Sequence, residues 1–579
     1  MRASGPSRRR MATTASEVED RVWFRQYPPN VPHHVTIPDQ LLTELVEESV
    51  RRWPDRSAIV YDGAPWSYRR LWQESERFAA ALAREKVGFG DRVALYLPNC
   101  PAFPIAFFGI LRLGAIVVPV SPLYIGQDLA RILNDATPKA LVTLETLYPN
   151  LAKAQGDHVV RAVFVARSRD FLPWYRRPFG NTASRNSRPP GSLLRGPTVR
   201  AWKAALATPG SVPLARSDPR TTPAVLQYTG GTTGVPKAAV LTHHNLVANV
   251  VQGNAWNVWL EPGAEVVIAT IPLSHIYGLT VALLMGLAAG GTVVLQTRPE
   301  IRELLSLIDR YQPTQFPGVP ALYQAFNRQP DLAKHRVRSI RYCLSGSAPL
   351  PLEVQRRFEE LTGARLVEGY GLSETSPITH ENPLTGERRV GSIGVPVPDT
   401  DQRVVDLETG TRVLDAGEIG ELAVRGPQVM QGYFHQAEET ASVLQDGWFA
   451  TGDVARIDPD GYAYLVDRKK DMVNVSGMKV YPREVEEVLF QHPSVADVAV
   501  VGAPDPERGE SVVAFVVRKP GASVTPEELI AFVRERIAHF KAPRRVEFRD
   551  QLPRSGAQKV LRRVLRGEAT TMARVTPKN

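Results

Sequence analysis

Two hydrophobic rhythms alternate along the chain from about residue 41. Residues 92–97, 115–120 and 140–144 form short β-branched runs, the pattern of strands buried on both faces. Between them, residues 104–113 and 128–135 repeat apolar positions at helical spacing. The alternation resumes at 265–271, passes through an apolar helix and continues at 292–296, 339–344 and 365–368. Strands alternating with helices predict an α/β domain of layered, largely parallel sheets. Beyond residue 399 the apolar runs shorten, and turn pairs such as Asp460-Gly461 separate them. Residues 419–425 and 462–466 there predict an antiparallel β-subdomain. The end of the chain changes rhythm again, with helices at 482–490 and 526–539 and strands at 495–501 and 511–517, a small α+β unit. Residues 168–218, rich in Pro, Arg, Gly and Ser, interrupt the pattern and read as a loop insertion.

Composition narrows this picture. The most apolar run, 103–120, is broken by Pro104, Arg112 and Pro119, so it predicts a buried helix followed by a strand rather than a membrane span. Residues 276–289 are too few to cross a bilayer. The net charge of +10 suits an anionic ligand or an acidic membrane surface. Nucleic acid is not expected, because zinc-finger spacing and RNP-type aromatic-basic motifs are both missing from the sequence. Cys100 and Cys343 lie in apolar runs and read as buried thiols of a reducing, cytoplasmic compartment. Residues 1–20 lack the apolar core of a secretory signal and are expected to be a disordered tail, with Met11 an alternative start.

The strongest chemical signal is Tyr228-Thr-Gly-Gly-Thr-Thr-Gly-Val-Pro-Lys237. Glycines let backbone N–H groups approach phosphate oxygens, hydroxyls add donors and a lysine adds charge. It is not a Walker A loop, because Val235 and Pro236 separate Gly234 from Lys237 and no Ser or Thr follows the lysine. A P-loop phosphotransferase is therefore disfavoured. Further along stand Pro272-Leu-Ser-His275-Ile-Tyr-Gly278, Ser345-Gly-Ser-Ala-Pro349 and Glu368-Gly-Tyr-Gly-Leu-Ser-Glu374-Thr. Nearer the C-terminus are Gly447-Trp-Phe-Ala-Thr-Gly-Asp453, Asp467-Arg468-Lys-Lys470-Asp471, Ser476-Gly477-Met-Lys479 and Leu552-Pro-Arg-Ser-Gly-Ala-Gln-Lys559.

Taken in this order, the motifs resemble the adenylate-forming superfamily of acyl-CoA synthetases, firefly luciferase and peptide-synthetase adenylation domains. The Thr-Gly-Gly-Thr-Thr-Gly form is similar to that of bacterial long-chain fatty-acid–CoA ligases. The resemblance implies a large N-terminal domain, residues 21–469, and a small mobile C-terminal domain, residues 470–568, followed by a tail over 569–579. It also implies the following roles. Thr229, Gly230, Gly231, Thr232, Thr233, Gly234 and Lys237 hold the phosphates of ATP. Gly346, Ser347 and Ala348 form the adenine- and acyl-contacting turn, and His275 lies near the acyl group. Within Glu368, Gly369, Tyr370 and Gly371, Tyr370 stacks on adenine; Ser373 approaches the α-phosphate. Glu374, with Thr232, binds Mg²⁺, a hard cation suited to oxygen ligands. Asp453 and Arg468 take the ribose, Lys470 is the hinge, Gly477 lets the pantetheine arm of coenzyme A pass, and Lys559 is the catalytic lysine. Gln558 stands where the superfamily has glycine, and Ala238 replaces the glycine after Lys237. Pro482, Glu484 and Glu486 also read as an ordinary helix start.

The expected reaction is ATP-dependent ligation of a long-chain fatty acid to coenzyme A through an acyl-adenylate. A medium-chain or aryl acid is the alternative substrate, and a non-catalytic nucleotide-binding scaffold is the rival outside enzymology. Peripheral contact with the inner face of the membrane is expected through Phe171, Trp174, Tyr175 and Phe179 beside Arg176 and Arg177. Whether the chain forms a homodimer stays open.

Overall fold

The structure is a computed structural model that describes residues 21–154, 160–172, 198–207, 210, 212–229, 237–298, 300–554 and 560–575. The N-terminal part is built on two facing sheets. One has eight strands, in the order Gly432–Tyr433, Lys237–Thr242, Pro223–Thr229, Ile116–Val120, Arg92–Tyr96, Ala140–Leu144, Ala162–Ala166 and Thr198–Ala201. Its strands are parallel from Pro223–Thr229 through to Thr198–Ala201, as the unbroken apolar runs predict. The other layer joins Val266–Ala269, Thr292–Leu295, Ser57–Tyr61 and Ala64–Ser67 to Tyr342–Ser345, Arg365–Gly371, Ile378–Glu381 and Val395–Pro396. Gln315 stitches the two halves of that layer, bridging Val267 on one side and Tyr342 on the other.

Helices lie between the layers. In Ala102–Arg112 every residue through Leu111 is buried, which explains why the segment is apolar all round. Its Phe103, Phe107 and Ile110 share one core with Ile59 of one sheet and Val93 and Val117 of the other. The apolar run at 276–289 is also a core helix, but wider: a π-helical stretch, Gly278–Leu284, passes into the α-turn Met285–Ala288. Among the described residues no helix is long and apolar enough to cross a membrane. Both cysteines are buried, as expected.

The predicted β-subdomain is a five-stranded sheet of Asp401–Val405, Gly420–Arg425, Trp448–Ile457, Leu444–Gln445 and Ala463–Arg468, all antiparallel. The C-terminal unit has its own five-stranded sheet with helices Pro482–Phe490, Pro526–Arg534 and Arg562–Val575. Its core of Val473, Val485, Leu489, Val500, Val516 and Leu529 is separate from that of the large layers. Glu486 is buried there against Arg562 and the Val500 N–H, and Glu484 pairs with Lys541, so both acids serve the fold.

The insertion differs from its reading as a loop. Strand Thr198–Ala201 forms the edge of the eight-stranded sheet, and helix Trp202–Ala207 buries Trp202 and Leu206. A four-residue edge strand takes its conformation from the ladder beside it, so its own sequence carries little signal. Phe171 is buried too, with Trp202, Trp66 and Tyr61 around its ring, and it is not available to a lipid surface. Trp174, Tyr175, Arg176, Arg177 and Phe179 lie outside the described residues.

Candidate active site

Strand pairing places the residues on either side of the Gly/Thr motif. Thr229 closes strand Pro223–Thr229, Lys237 opens strand Lys237–Thr242, and the two are paired across the antiparallel ladder. Gly230, Gly231, Thr232, Thr233 and Gly234 lie outside the described residues. The Lys237 ammonium pairs with the Glu439 carboxylate and sits 5.6 Å from the centre of the Tyr433 ring. Tyr433 in turn donates its hydroxyl to Glu374 Oε1 at 2.9 Å. Glu374 is held at its backbone as well, where its carbonyl accepts from the Met430 N–H at 2.7 Å. Ser373 opens the same single turn, Ser373–Thr375.

Strand Arg365–Gly371 delivers the residues just before that turn. A Cβ on Gly371 would lie 1.9 Å from the Pro377 carbonyl oxygen, and one on Gly369 would lie 2.6 Å from Leu344, so the two glycines let neighbouring chains close in around Tyr370. The Tyr370 hydroxyl donates to Asp453 Oδ2 at 2.7 Å. Asp453 faces Arg468 across the ladder of the β-subdomain, with 3.2 Å between Arg468 Nε and Asp453 Oδ1. Asp453 is 5% exposed, a buried carboxylate held by a phenol and a guanidinium. The Asp453 carboxylate first, then those of Asp471 and Glu374, hold the Arg468 guanidinium positively charged. Tyr370, Asp453, Arg468 and Glu374 thus converge from three separate stretches of chain.

The turn holding Gly346, Ser347 and Ala348 follows strand Tyr342–Ser345. Ser347 has a φ of +72°. The Leu350 N–H at the end of this turn donates to Glu368 Oε2 at 3.3 Å. Burial pushes the Glu368 carboxyl up to about 7, opposed by the Arg483 guanidinium and by that hydrogen bond. His275 is half-buried, and its Nδ1 accepts the Tyr277 N–H at 3.2 Å. Tyr277 packs on Gly346, where a Cβ would come within 3.2 Å of its ring. The Tyr277 hydroxyl bonds to the carbonyls of Leu344 and Gly318, at 2.5 and 3.3 Å. Tyr277, Tyr433 and Glu439 were not singled out in the sequence; only the small Gly346 hinted that a ring lies against it.

Of the remaining expected residues, Lys470 lies where the N- and C-terminal parts of the chain meet. Lys470 follows strand Ala463–Arg468, and its carbonyl accepts from Arg566 Nη1 at 3.3 Å. Asp467 is reached from the C-terminal side by the Arg483 N–H at 2.7 Å and by Arg562 at 3.6 Å. Gly477 and Ser476 form the two-residue turn between Val473–Val475 and Met478–Val480, with φ of +84° and +53°. Such a turn needs left-handed backbone at both positions. No atom lies within 4 Å of a Cβ built on Gly477, so conformation rather than space calls for glycine there. Lys559 lies outside the described residues; on either side of that stretch, Arg554 and Val560 pair in an isolated bridge.

Beneath the turn, Glu381 is 1% exposed and accepts a 2.7 Å hydrogen bond from the Tyr342 hydroxyl. Burial pushes its carboxyl from 4.5 up to about 8. A pKa raised on folding means that the protonated acid stabilises the fold fully below pH 4.5, and that this contribution is lost as pH rises through about 8. Each pKa unit corresponds to about 1.4 kcal/mol. Glu381→Gln keeps an acceptor for Tyr342 and cannot ionise. Relative to the parent chain, its melting temperature is expected to rise steadily between pH 5 and pH 8 and then level off. A difference independent of pH would show that Glu381 does not titrate in the folded protein.

The AMP-binding enzyme family model matches residues 46–434, and that of the AMP-binding enzyme C-terminal domain matches 484–559. A long-chain-fatty-acid–CoA ligase of Bacillus subtilis is 40% identical over 561 residues, covering 95% of this chain and 98% of that protein. One from Escherichia coli O157:H7 is 40% identical over 558 residues, with the same coverage. Among solved structures, ATP-bound MatB from Rhodopseudomonas palustris superposes with a TM-score of 0.79 at 29% identity, covering 92% of this chain and all of that one. With both family models matched in order and near full-length similarity to curated ligases, the chain belongs to the AMP-binding enzyme family.

Proposed function

We propose that this chain is an acid–thiol ligase that joins a long-chain fatty acid to coenzyme A through an acyl-adenylate, releasing pyrophosphate and then AMP. The observation that carries the reading is the buried Asp453 carboxylate, bonded at once to Tyr370 and Arg468 beside Glu374. A carboxylate presented with a phenol and a guanidinium suits a ribose diol under a stacked base. The acyl half rests on the relatives, whose printed names specify long-chain fatty acids.

A free carboxylate resists acyl transfer because its leaving group would be oxide. In the first step a fatty-acid oxygen attacks the α-phosphorus of ATP, the bond to the β-phosphate oxygen breaks, and pyrophosphate leaves. Two anions must meet, so positive charge governs the barrier. Lys237 serves the β- and γ-phosphates, and Lys559 serves the attacked phosphate. Mg²⁺ fits Glu374, because magnesium usually takes one or two carboxylates together with substrate phosphates. When bound there it would neutralise phosphate charge, and the Tyr433 hydroxyl orients the carboxylate that holds it. In the second step the coenzyme A thiol loses its proton and attacks the acyl carbonyl, and AMP departs with the bonding electrons. Residues 470–568 then act as a domain that presents first Lys559 and later Gly477.

Fatty-acid-dependent exchange of pyrophosphate into ATP, together with AMP release across acids of increasing chain length, tests the reading. Long-chain acids are expected to give the highest kcat/KM. Maximal activity on an aryl acid or a medium-chain acid would move the substrate to the alternative class, and no acid-dependent exchange would leave a nucleotide-binding protein without this chemistry.

A further inference from the structure

One charged contact beside the nucleotide site has no part in the reaction as described. Glu439 lies on the short helix Ala437–Val443, and its carboxylate pairs with the Lys237 ammonium. That helix is not loosely placed. The Tyr433 N–H donates to Thr440 Oγ1 at 2.8 Å, and Gly432 lies so close to Thr440 that a Cβ would come within 2.7 Å of its methyl carbon. Strand Gly432–Tyr433 is itself hydrogen-bonded to Lys237–Thr242, with Tyr433 opposite Ala239. The backbone that carries Lys237 therefore also positions the helix that carries its counter-ion. Tyr433 sits between the two functions, with its ring beside Lys237 and its hydroxyl on Glu374.

Two facts about the pair set what it does. Lys237 is mostly covered, at 21% side-chain exposure, whereas Glu439 is at 38%, so the carboxylate is the partner with room to withdraw. A triphosphate is an anion seeking the same ammonium, and a carboxylate left beside it would repel it. We propose that Glu439 is a built-in competitor of the nucleotide: it neutralises Lys237 while the site is empty and is displaced when the triphosphate arrives, so that it sets the apparent affinity for ATP and pyrophosphate. This rests on the reading of Lys237 as a phosphate ligand. Glu439 touches no reacting atom and acts only through Lys237. Exposed ion pairs of this kind are worth up to about fivefold in an equilibrium, which bounds the effect.

The test uses the full-length enzyme and measures KM for ATP, kcat, and the dissociation constant of a non-hydrolysable ATP analogue by calorimetry. Glu439→Gln is expected to lower both KM and the dissociation constant by about two- to fivefold with kcat unchanged. Glu438→Gln removes the same charge from the neighbouring exposed position and is expected to change neither. In a Lys237→Met background, Glu439→Gln is expected to have no further effect, because the two residues act as one unit. A raised KM in Glu439→Gln would overturn the proposal and make Glu439 a residue that holds Lys237 in place for the nucleotide. An equal gain from Glu438→Gln, or a gain that survives in Lys237→Met, would overturn it in favour of unspecific charge. Should Glu439→Gln melt at lower temperature than the parent, Glu439→Asp, which shortens the reach and keeps the charge, provides the same reading with an intermediate gain. If Lys237→Met itself binds the analogue normally, the phosphate reading of Lys237 fails, an outcome distinct from failure of the competitor.

Discussion

Lys559→Ala is expected to lower fatty-acid-dependent ATP–pyrophosphate exchange by about 10²- to 10³-fold, the usual cost of removing one group aimed at developing transition-state charge. Conversion of supplied acyl-adenylate and coenzyme A to thioester is expected to change little. The asymmetry follows from the charges. Adenylation brings a carboxylate against a triphosphate, and at the α-phosphorus the incoming and leaving oxygens both bear negative charge. Thioester formation starts from a carbonyl already activated by its AMP leaving group and does not need a second cation at that phosphorus. Lys559 is the last residue of the matched C-terminal family segment and lies just before Val560, which bridges to Arg554. Arg554 is itself anchored to Asp497 at 2.6 Å. Near-normal exchange by the alanine variant would remove Lys559 from the first step and make Gln558, in place of glycine, the mark of a loop with another task.

How far such a chain can be read in advance depends on where each residue's environment comes from. Helix Ala102–Arg112 was legible because burial on all sides demands apolar residues at every position, over a run too long for a buried strand. Strand Ala140–Leu144 was legible to the residue because it is buried throughout over a shorter run. The helix expected over 526–539 stops at Arg534, and a separate turn, His539–Lys541, follows, because the apolar positions beyond the helix pack on the core without continuing the helical backbone. Phe171 misled because aromatic character does not say which side of a segment the core lies on. In the site, Tyr370 and Asp453 are 83 residues apart, and no periodicity connects them; only the motifs placed both at a nucleotide. Glu439 was not legible at all. It is one of two adjacent acids on a short helix, and only the ladder between Gly432–Tyr433 and Lys237–Thr242 aims it at Lys237.

Substituting proline for Lys470 is expected to separate the two half-reactions, lowering thioester formation by about 10²-fold while adenylation stays within a few-fold, a cost in line with misplacing reacting groups by about an ångström. Proline locks φ near −65° and restricts the residue before it, here Lys469, so the chain between the domains can no longer take up a second set of torsions. Lys470 is suited to this test because its N–H, which proline removes, donates no backbone hydrogen bond among the described residues, while its carbonyl, which accepts from Arg566, is kept. Its neighbours carry the local bonds: the Lys469 N–H donates to the Gly452 carbonyl, and the Asp471 N–H donates to that of Arg468, both at 2.9 Å. The contacts that would hold the present arrangement lie on either side of it. Asp467 takes the Arg483 N–H and faces Arg562, and Arg483 Nη1 donates to the Leu465 carbonyl at 3.0 Å. A domain rotation must break these bonds between Asp467, Leu465 and the C-terminal side, whereas Arg562 and Arg566 on Asp471 travel with it. Proline at 470 removes none of these side chains or backbone donors, so adenylation is expected to continue. Rapid-quench measurement of acyl-adenylate formation and of its consumption by coenzyme A separates the steps. Equal losses in both would mean that residue 470 is a structural turn and not the pivot.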